Sequence, residues 1–250
     1  MENEEWRIEN FLYLCRKFSE IYKPIERRKM QKLFFELLRV ALGQLDCVDR
    51  APLTEEWYEL YRIAKQHGIA GTCYQGVEKL FEFGLRGPQD LMIDWMEESE
   101  EAFDADVIEH YSPIPMKNPL KNHQWQKILR DNSDTEPSPT KHLLSLLIHI
   151  HEQFTYRRLA LLLLLDAFRL LKQIDGRFDK MAHEATFEQQ LRKVGIFGFT
   201  QGVMWVLGET MGLERKYMPC EPSEKKGRFI LDYMMSEEHT LKERLKKRFL

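Results

Sequence analysis

The sequence predicts a mainly α-helical protein, in which two helical groups are joined by a short β-prone, proline-rich segment. Apolar residues recur at helical spacing in both halves of the 250-residue chain. Glycines follow several of these periodic segments, as they commonly do where helices end. Before Phe103 no segment alternates polar and apolar residues as a half-buried strand would.

The first group covers residues 1–103 and is predicted to contain five helices. Thr54 is expected to be a helix N-cap, because Glu55 and Glu56 follow it where the helix dipole favours negative charge. Gly84 to Gly87 form the expected turn between the last two helices. The predicted helices are Trp6–Tyr22, Glu26–Gly43, Thr54–Gly68, Ile69–Phe83 and Pro88–Phe103.

Residues 104–136 are predicted to connect the two groups. Val107 to Tyr111 is a short β-prone run, and Ser112 to Pro119 contains too many prolines for a helix or a central strand. The polar stretch Asn132 to Pro139 is the best boundary along the chain.

The second group covers residues 137–250, and it can form a separate unit or part of one compact domain. Thr140 is expected to cap a helix that continues to about Phe154. Leu159 to Ile174 is so apolar on all sides that it is predicted to be the central buried helix. Three further helices are predicted over Phe187–Val194, Phe197–Met211 and Ser223–Met235, with C-terminal caps at Gly195 and Gly212.

The overall composition predicts a cytoplasmic protein that does not enter the membrane. A net charge of −3 provides no long-range attraction to nucleic acid or anionic lipid, so nucleic acid is an unlikely partner. The longest apolar run, Leu159 to Leu165, is far shorter than the roughly 20 residues that cross a bilayer. The acidic start of the chain is unlike a signal peptide. The cysteines are too dispersed for a zinc ribbon or disulfide framework and are expected to be reduced: Cys15, Cys47, Cys73 and Cys220.

Seven segments along the chain carry a family resemblance. They are Leu33–Gly43 (LFFELLRVALG), Trp57–Gly68 (WYELYRIAKQHG), Val107–Asn122 (VIEHYSPIPMKNPLKN), Leu146–His149 (LLIH), Leu164–Phe168 (LLDAF), Gly202–Leu213 (GVMWVLGETMGL) and Cys220–Leu231 (CEPSEKKGRFIL), which together span most of the chain. In this order they resemble a family of bacterial nucleotidyltransferases that embed a small nucleotidyl-transfer core within helices. The Val107 to Asn122 segment resembles that family's strand that ends in an acidic residue plus histidine, with its proline-rich tail.

The chain departs from this family where the catalytic core is expected. The resemblance implies a glycine-containing turn and an Asp-x-Asp pair ahead of the acidic strand, which would bind nucleotide phosphates and a divalent metal. Here the helix that includes Glu97 to Phe103 runs almost directly into Val107 to Tyr111. The length of a small α/β unit is therefore missing.

Three carboxylates are the candidate catalytic and metal-binding residues. Glu109, followed by His110, matches the family's third acidic strand, and Asp104 and Asp106 form a D-x-D pair just before it. Alternate side chains of a strand share a face, so Asp104 and Asp106 could hold a magnesium ion together with Glu109. The alternative is that Asp104 and Asp106 are solvated charges, and that Glu109 is a polar residue left on an edge strand.

Other polar residues are expected to be structural. His149 and His151 are two residues apart, so they face different directions on a helix, whereas His142 could share a face with His149. Asp166 lies in an apolar stretch and is expected to be buried and paired with a nearby arginine such as Arg169.

The C-terminal apolar stripe and the tryptophans each have more than one possible location in the fold. In the basic C-terminal segment, Leu241, Leu245 and Phe249 fall on one stripe that could dock on the body or on another subunit. The tryptophans Trp57, Trp95, Trp125 and Trp205 are expected to be core or groove residues.

The sequence therefore favours a nucleotidyltransferase-family protein that lacks most of its catalytic core and acts as a non-catalytic binding or interaction module. Its expected partner is another protein or a second copy of the chain, and no cofactor is expected. One alternative is a reduced metal-dependent nucleotidyltransferase that uses Mg²⁺, a nucleoside triphosphate and the residues Asp104, Asp106 and Glu109. The other alternative is an oligomeric helical scaffold.

Overall fold

The computed structural model describes residues 26–103, 113–131, 139–175 and 184–236, together with positions 239, 240, 243 and 247. Within these ranges the chain is helical and contains no strand, which confirms the predicted mainly α class. The predicted helix Trp6–Tyr22 and the β-prone run Val107–Tyr111 lie outside them. The helices are α1 (26–41), α2 (Thr54–Gln66), α3 (Ala70–Glu82), α4 (Gln89–Phe103), α5 (Pro119–Asp131), α6 (Pro139–Tyr156), α7 (Leu161–Ile174), α8 (Glu184–Val194), α9 (Phe197–Met211) and α10 (Glu224–Met235).

Two helix starts differ from the sequence prediction. Helix α2 is capped at Leu53, not at Thr54, because Glu56 accepts a hydrogen bond from the Leu53 amide at 2.8 Å. Helix α6 starts at Pro139, so Thr140 lies inside its first turn. Proline suits this position, because the amide hydrogen of the first helical residue has no partner within the helix and the proline ring fixes φ near the helical value of about −65°.

Helix α5 was not predicted, and it lies within residues assigned to the connector. The Asn118 side chain caps it by accepting hydrogen bonds from the amides of Leu120 at 3.0 Å and Lys121 at 3.2 Å. Trp125 and Ile128, three residues apart, are buried on one face. The proline-rich stretch before α5 is anchored to it, because Trp125 Nε1 donates a hydrogen bond to the Ile114 carbonyl at 3.0 Å.

The helices of the N-terminal group pack through close backbone contacts and buried aromatic rings. A Cβ atom at Gly76 in α3 would lie 2.8 Å from the carbonyl oxygen of Leu37 in α1, so glycine permits this close approach. Helices α3 and α4 form a hairpin whose turn includes Gly84, at φ +76°. Trp95 of α4 is fully buried and donates a hydrogen bond from Nε1 to the Ala70 carbonyl at 3.0 Å.

The C-terminal group is built around α7 and the pair α9 and α10. Helix α7 is largely buried, but Leu162 remains exposed, so the helix is not enclosed on every side as predicted. Helix α9 ends at Met211 and is followed by Gly212, which has the left-handed conformation expected of a cap, and Gly195 after α8 has φ +74°.

The buried apolar residues of both groups form one continuous core. Polar contacts also join the groups. The guanidinium group of Arg39 in α1 donates hydrogen bonds to the carbonyls of Gly208 and Glu209 in α9. The Leu162 amide donates a hydrogen bond to the His67 carbonyl at 3.3 Å, which places the start of α7 beside the end of α2. Among the described helices, none combines the length and apolar character that a membrane span requires.

Candidate functional site

The carboxylates predicted to form the catalytic and metal site, Asp104, Asp106 and Glu109, lie outside the described residues. Within the described ranges, no three or more His, Cys, Asp or Glu side chains come together in a group that could hold a metal ion. The C-terminal stripe of Leu241, Leu245 and Phe249 also lies outside those ranges.

The two neighbouring histidines of α6 face different surroundings, in agreement with their spacing. His149 Nε2 lies 3.1 Å from the Gln153 side-chain nitrogen on the half-buried side of the helix. His151 is buried, with its Nε2 atom 3.4 Å from Lys121 Nζ and its ring against Phe199. A lysine ammonium can only donate, so His151 Nε2 is the acceptor and the ring proton lies on Nδ1.

His151 and Glu152 form a small buried polar cluster. His151 Nδ1 lies 3.6 Å from Glu152 Oε1, which is longer than a hydrogen bond, and neither atom has a hydrogen-bond partner. Burial holds the pKa of His151 below its ordinary value. Burial alone would raise the pKa of Glu152, but the adjacent His151 ring and the Lys117 amide lower it overall. The carboxylate therefore anchors the segment before α5.

The remaining singled-out residues have structural environments. Asp166 is half-buried rather than buried, and Arg169 donates a hydrogen bond to Thr72 Oγ1 at 3.3 Å. The tryptophans Trp57, Trp95 and Trp125 are core residues, whereas Trp205 is half-buried between α9 and α10.

An open groove of about 1040 Å³ lies between α1 and α2 and is called here the α1–α2 groove. Its walls are formed by α1 between Glu26 and Glu36 and by α2 with its flanking residues from Leu53 to His67. Arg158 and Met235 contribute from the C-terminal group. Since the lining residues extend over the whole of α2, the groove is about 20 Å long at 1.5 Å per helical residue.

The groove has a partly apolar floor and a charged rim. Leu33 and Ile63 line it although both are buried, so they lie at its base, and Met30 adds a half-buried thioether. The positively charged lining residues are Arg27, Lys29, Lys32, Arg50, Arg62 and Arg158. The negatively charged ones are Glu26, Glu36, Asp49, Glu55, Glu56 and Glu59.

At the Leu53 end of the groove, charges of opposite sign are paired with one another. Lys32 lies 2.6 Å from Asp49 and 3.2 Å from Glu36, and Arg50 contacts both oxygens of Glu56. The Lys32 ammonium lowers the pKa of Asp49, and the Arg50 guanidinium lowers the pKa of Glu56. The two cations face three carboxylates, so this end carries an ion-pair network with one negative charge in excess.

At the His67 end, positive charge predominates. Arg62 and Arg158 both approach the side chain of Gln66, and the ring of His67 lies beneath them at the groove base with only 3% of its surface exposed. Burial, together with the charges of Arg158 and Arg62, lowers the pKa of His67 from 6.5 to about 4. His67 is therefore neutral at physiological pH, in a setting that disfavours further positive charge.

Neither the groove nor the arginine pair was identified from the sequence. Arg62 and Arg158 are 96 positions apart in the chain, and only the packing of α7 against the end of α2 brings them to one place. The one available signal was Trp57 to Gly68, where basic residues and His67 cluster near a predicted helix end.

Comparison with known proteins finds no match for this chain among protein-family models, curated proteins or solved structures.

Proposed function

We propose that the protein is a non-catalytic binding or interaction module of a nucleotidyltransferase-like family, and that it binds a segment of a partner protein in the α1–α2 groove. The groove itself carries the proposal. At about 20 Å it would accommodate about six residues of an extended chain. Its apolar base, formed by Leu33 and Ile63, and its charged rim match the division between apolar core and polar rim in protein interfaces.

The family resemblance supports a binding role for the helical parts. The similar segments Leu33–Gly43 and Trp57–Gly68 contribute much of α1 and α2, which form the groove walls. The segment expected to hold nucleotide phosphates is the part of the family pattern that this sequence lacks. The proposed activity is therefore recognition of a partner rather than nucleotidyl transfer.

The proposed location is the cytoplasm. Cys47, Cys73 and Cys220 are free thiols, and burial raises the pKa of Cys73 far above that of an exposed thiol. Free thiols of this kind are typical of reducing compartments.

Site-specific photo-crosslinking in the native cells tests the groove. The crosslinking amino acid replaces Leu53, which is 65% exposed on the groove rim, or Leu120, which is 81% exposed on α5 and does not line the groove. We expect one protein to be captured from position 53 and not from position 120. Equal capture at both positions, or crosslinks only to residues 1–25 of the same chain, would exclude a partner in the groove.

Binding of the purified captured protein then measures the contribution of the rim. Glu55→Lys reverses an exposed charge in the groove, and Glu78→Lys makes the same change on the exposed side of α3. We expect Glu55→Lys to change affinity by about tenfold, equivalent to 1.4 kcal/mol, and Glu78→Lys to leave it unaltered. An identical affinity for both variants would show that the captured protein binds elsewhere.

A catalytic role would have a different signature. Thermal unfolding would show stabilisation by one nucleoside triphosphate only with magnesium or manganese, and Glu109→Ala would remove it. That result would replace the proposed function with the reduced nucleotidyltransferase. Light scattering that shows a dimer disrupted by deletion of residues 241–250 would instead favour the oligomeric scaffold.

A further inference from the structure

The side chain of Gln66 lies between two guanidinium groups that it cannot serve together. In one orientation its carboxamide oxygen accepts a hydrogen bond from Arg62 Nη1 at 3.3 Å. In the reversed orientation the oxygen accepts hydrogen bonds from Arg158 Nη1 at 3.1 Å and Nη2 at 2.5 Å. Whichever orientation is adopted, the other arginine faces the amide NH₂ group, which is itself a donor. In either orientation, the carboxamide oxygen is an acceptor for only one of the two arginines.

The charges of the two arginines are not equally compensated. Arg62 is held by both oxygens of Glu59 at 2.7 and 2.8 Å. Arg158 has no carboxylate partner among the described residues, and its guanidinium group is exposed at the groove. The bidentate geometry of arginine suits a planar oxyanion particularly well.

His67 provides a second and independent indication of a ligand. The residue has only 3% of its surface exposed, lines the groove, and makes no side-chain hydrogen bond within the described residues. Burial and the nearby arginines lower its pKa to about 4. A bound anion would oppose the lowering of the His67 pKa by the two arginine charges, and it would accept a hydrogen bond from the ring N–H.

We propose that the Arg158, Gln66 and His67 end of the α1–α2 groove is an oxyanion site, which accepts a carboxylate of the bound protein segment. The inference rests on the proposed function for the choice of a protein carboxylate. The cations at the Leu53 end are already paired with carboxylates, whereas Arg158 has no carboxylate partner among the described residues, so the two ends of the groove differ in the charge that they can accept. An acidic residue or the C-terminal carboxylate of the segment would lie at Arg158, and its apolar residues would contact Leu33 and Ile63.

Histidine NMR of the full chain near pH 5 tests the site with small anions of equal charge. The ring signals are followed in sodium formate, sodium dihydrogen phosphate or sodium chloride at equal ionic strength, and the His67 signals are assigned with His67→Gln. We expect formate to raise the pKa of His67 by about one unit relative to chloride, as a nearby opposite charge does. Arg158→Gln should abolish the formate-dependent change, whereas Arg157→Gln, an exposed neighbour outside the groove lining, should retain it.

Each other outcome overturns the inference in a defined way. A response to dihydrogen phosphate alone would replace the carboxylate with a phosphate ligand. Equal responses in all three salts would indicate screening without a site, and a formate response that persists in Arg158→Gln would exclude the arginine as the anchor. Because crosslinking from position 53 requires no anion, a partner captured there without a formate response would leave the groove function intact and remove only the oxyanion site.

Discussion

At the scale of single residues, the burial of His67 makes folding stability depend on pH. The unfolded chain takes up a proton on this histidine near pH 6.5, whereas the folded chain does so only near pH 4. Between these values the unfolded state binds more protons, so stability falls as the pH decreases through the window. The contribution of His67 to the free energy of unfolding is fully present above pH 6.5, and about 3 kcal/mol of that free energy is lost at pH 4.

Removal of this histidine should therefore reduce the acid sensitivity of the fold. His67→Gln is expected to show a smaller decrease in the free energy of unfolding between pH 7 and pH 4.5 than the unaltered chain, measured by urea denaturation in chloride buffer. His123→Gln changes an exposed histidine of α5 and should leave the pH dependence as it is. Buried His151 and the paired carboxylates, whose pKa values are also lowered, contribute to the acid sensitivity that remains. Identical pH profiles for His67→Gln and the unaltered chain would contradict the assignment.

Sequence patterns predicted single residues well where the backbone alone determines the role. Gly195 and Gly212 occupy the left-handed conformation expected after a helix, because few other residues adopt it without strain. The expected cap at Thr54 was wrong, since Glu56, itself paired with Arg50, caps the helix from its third position instead. That choice depends on the fold of the preceding loop, which local propensity does not encode.

At the scale of secondary-structure elements, two glycines determine how closely α9 and α10 approach. A Cβ atom at Gly227 would lie 2.3 to 2.8 Å from three atoms of Trp205, and one at Gly202 would lie 2.7 Å from Ile230. These distances are shorter than real carbon contacts, so the helices or the Trp205 ring would have to move. The absence of a side chain at both positions therefore permits the tight packing of this helix pair.

Gly227→Ala should destabilise the protein despite the better helix propensity of alanine. We expect a loss of about 1–3 kcal/mol in the free energy of unfolding, since overpacking outweighs a propensity gain of about 1 kcal/mol. Gly208→Ala is the matched control in α9, because its Cβ would lie 3.2 Å from the flexible end of Met218 and at an ordinary contact distance of 3.6 Å from the Leu213 carbonyl oxygen. Chemical denaturation measures both variants. Equal stabilities of Gly227→Ala and Gly208→Ala would show that the helix pair relaxes without cost.

Among the elements, α5 shows where sequence prediction failed and why. The density of prolines before it suggested a connector, yet Pro119 is the first residue of the helix, where proline is favoured, and Asn118 caps it. The Asn–Pro pair was therefore a usable start signal. The α1–α2 groove, by contrast, could not be predicted, because its walls and Arg158 are brought together only by packing between the two groups.

At the scale of the whole molecule, the shared core couples the two helical groups. Apolar residues from α1 to α10 form one buried cluster, and Arg39 links α1 to the end of α9 through two backbone carbonyls. The sequence left open whether residues 1–103 and 137–250 fold separately. A core that both groups complete favours cooperative unfolding, because neither group can open without exposing the other's apolar surface.

We therefore expect one thermal transition whose calorimetric and van't Hoff enthalpies agree. Ile69→Val at the start of α3 and Ile230→Val in α10 remove one buried methyl group from each helical group. Each should cost about 0.5–1.5 kcal/mol and lower the same transition by a few degrees. Differential scanning calorimetry makes the measurement, and an exposed change such as Asp232→Asn provides the control. Two transitions, with each substitution shifting only one of them, would show that the groups unfold independently, and the groove could then change shape without loss of the remaining fold.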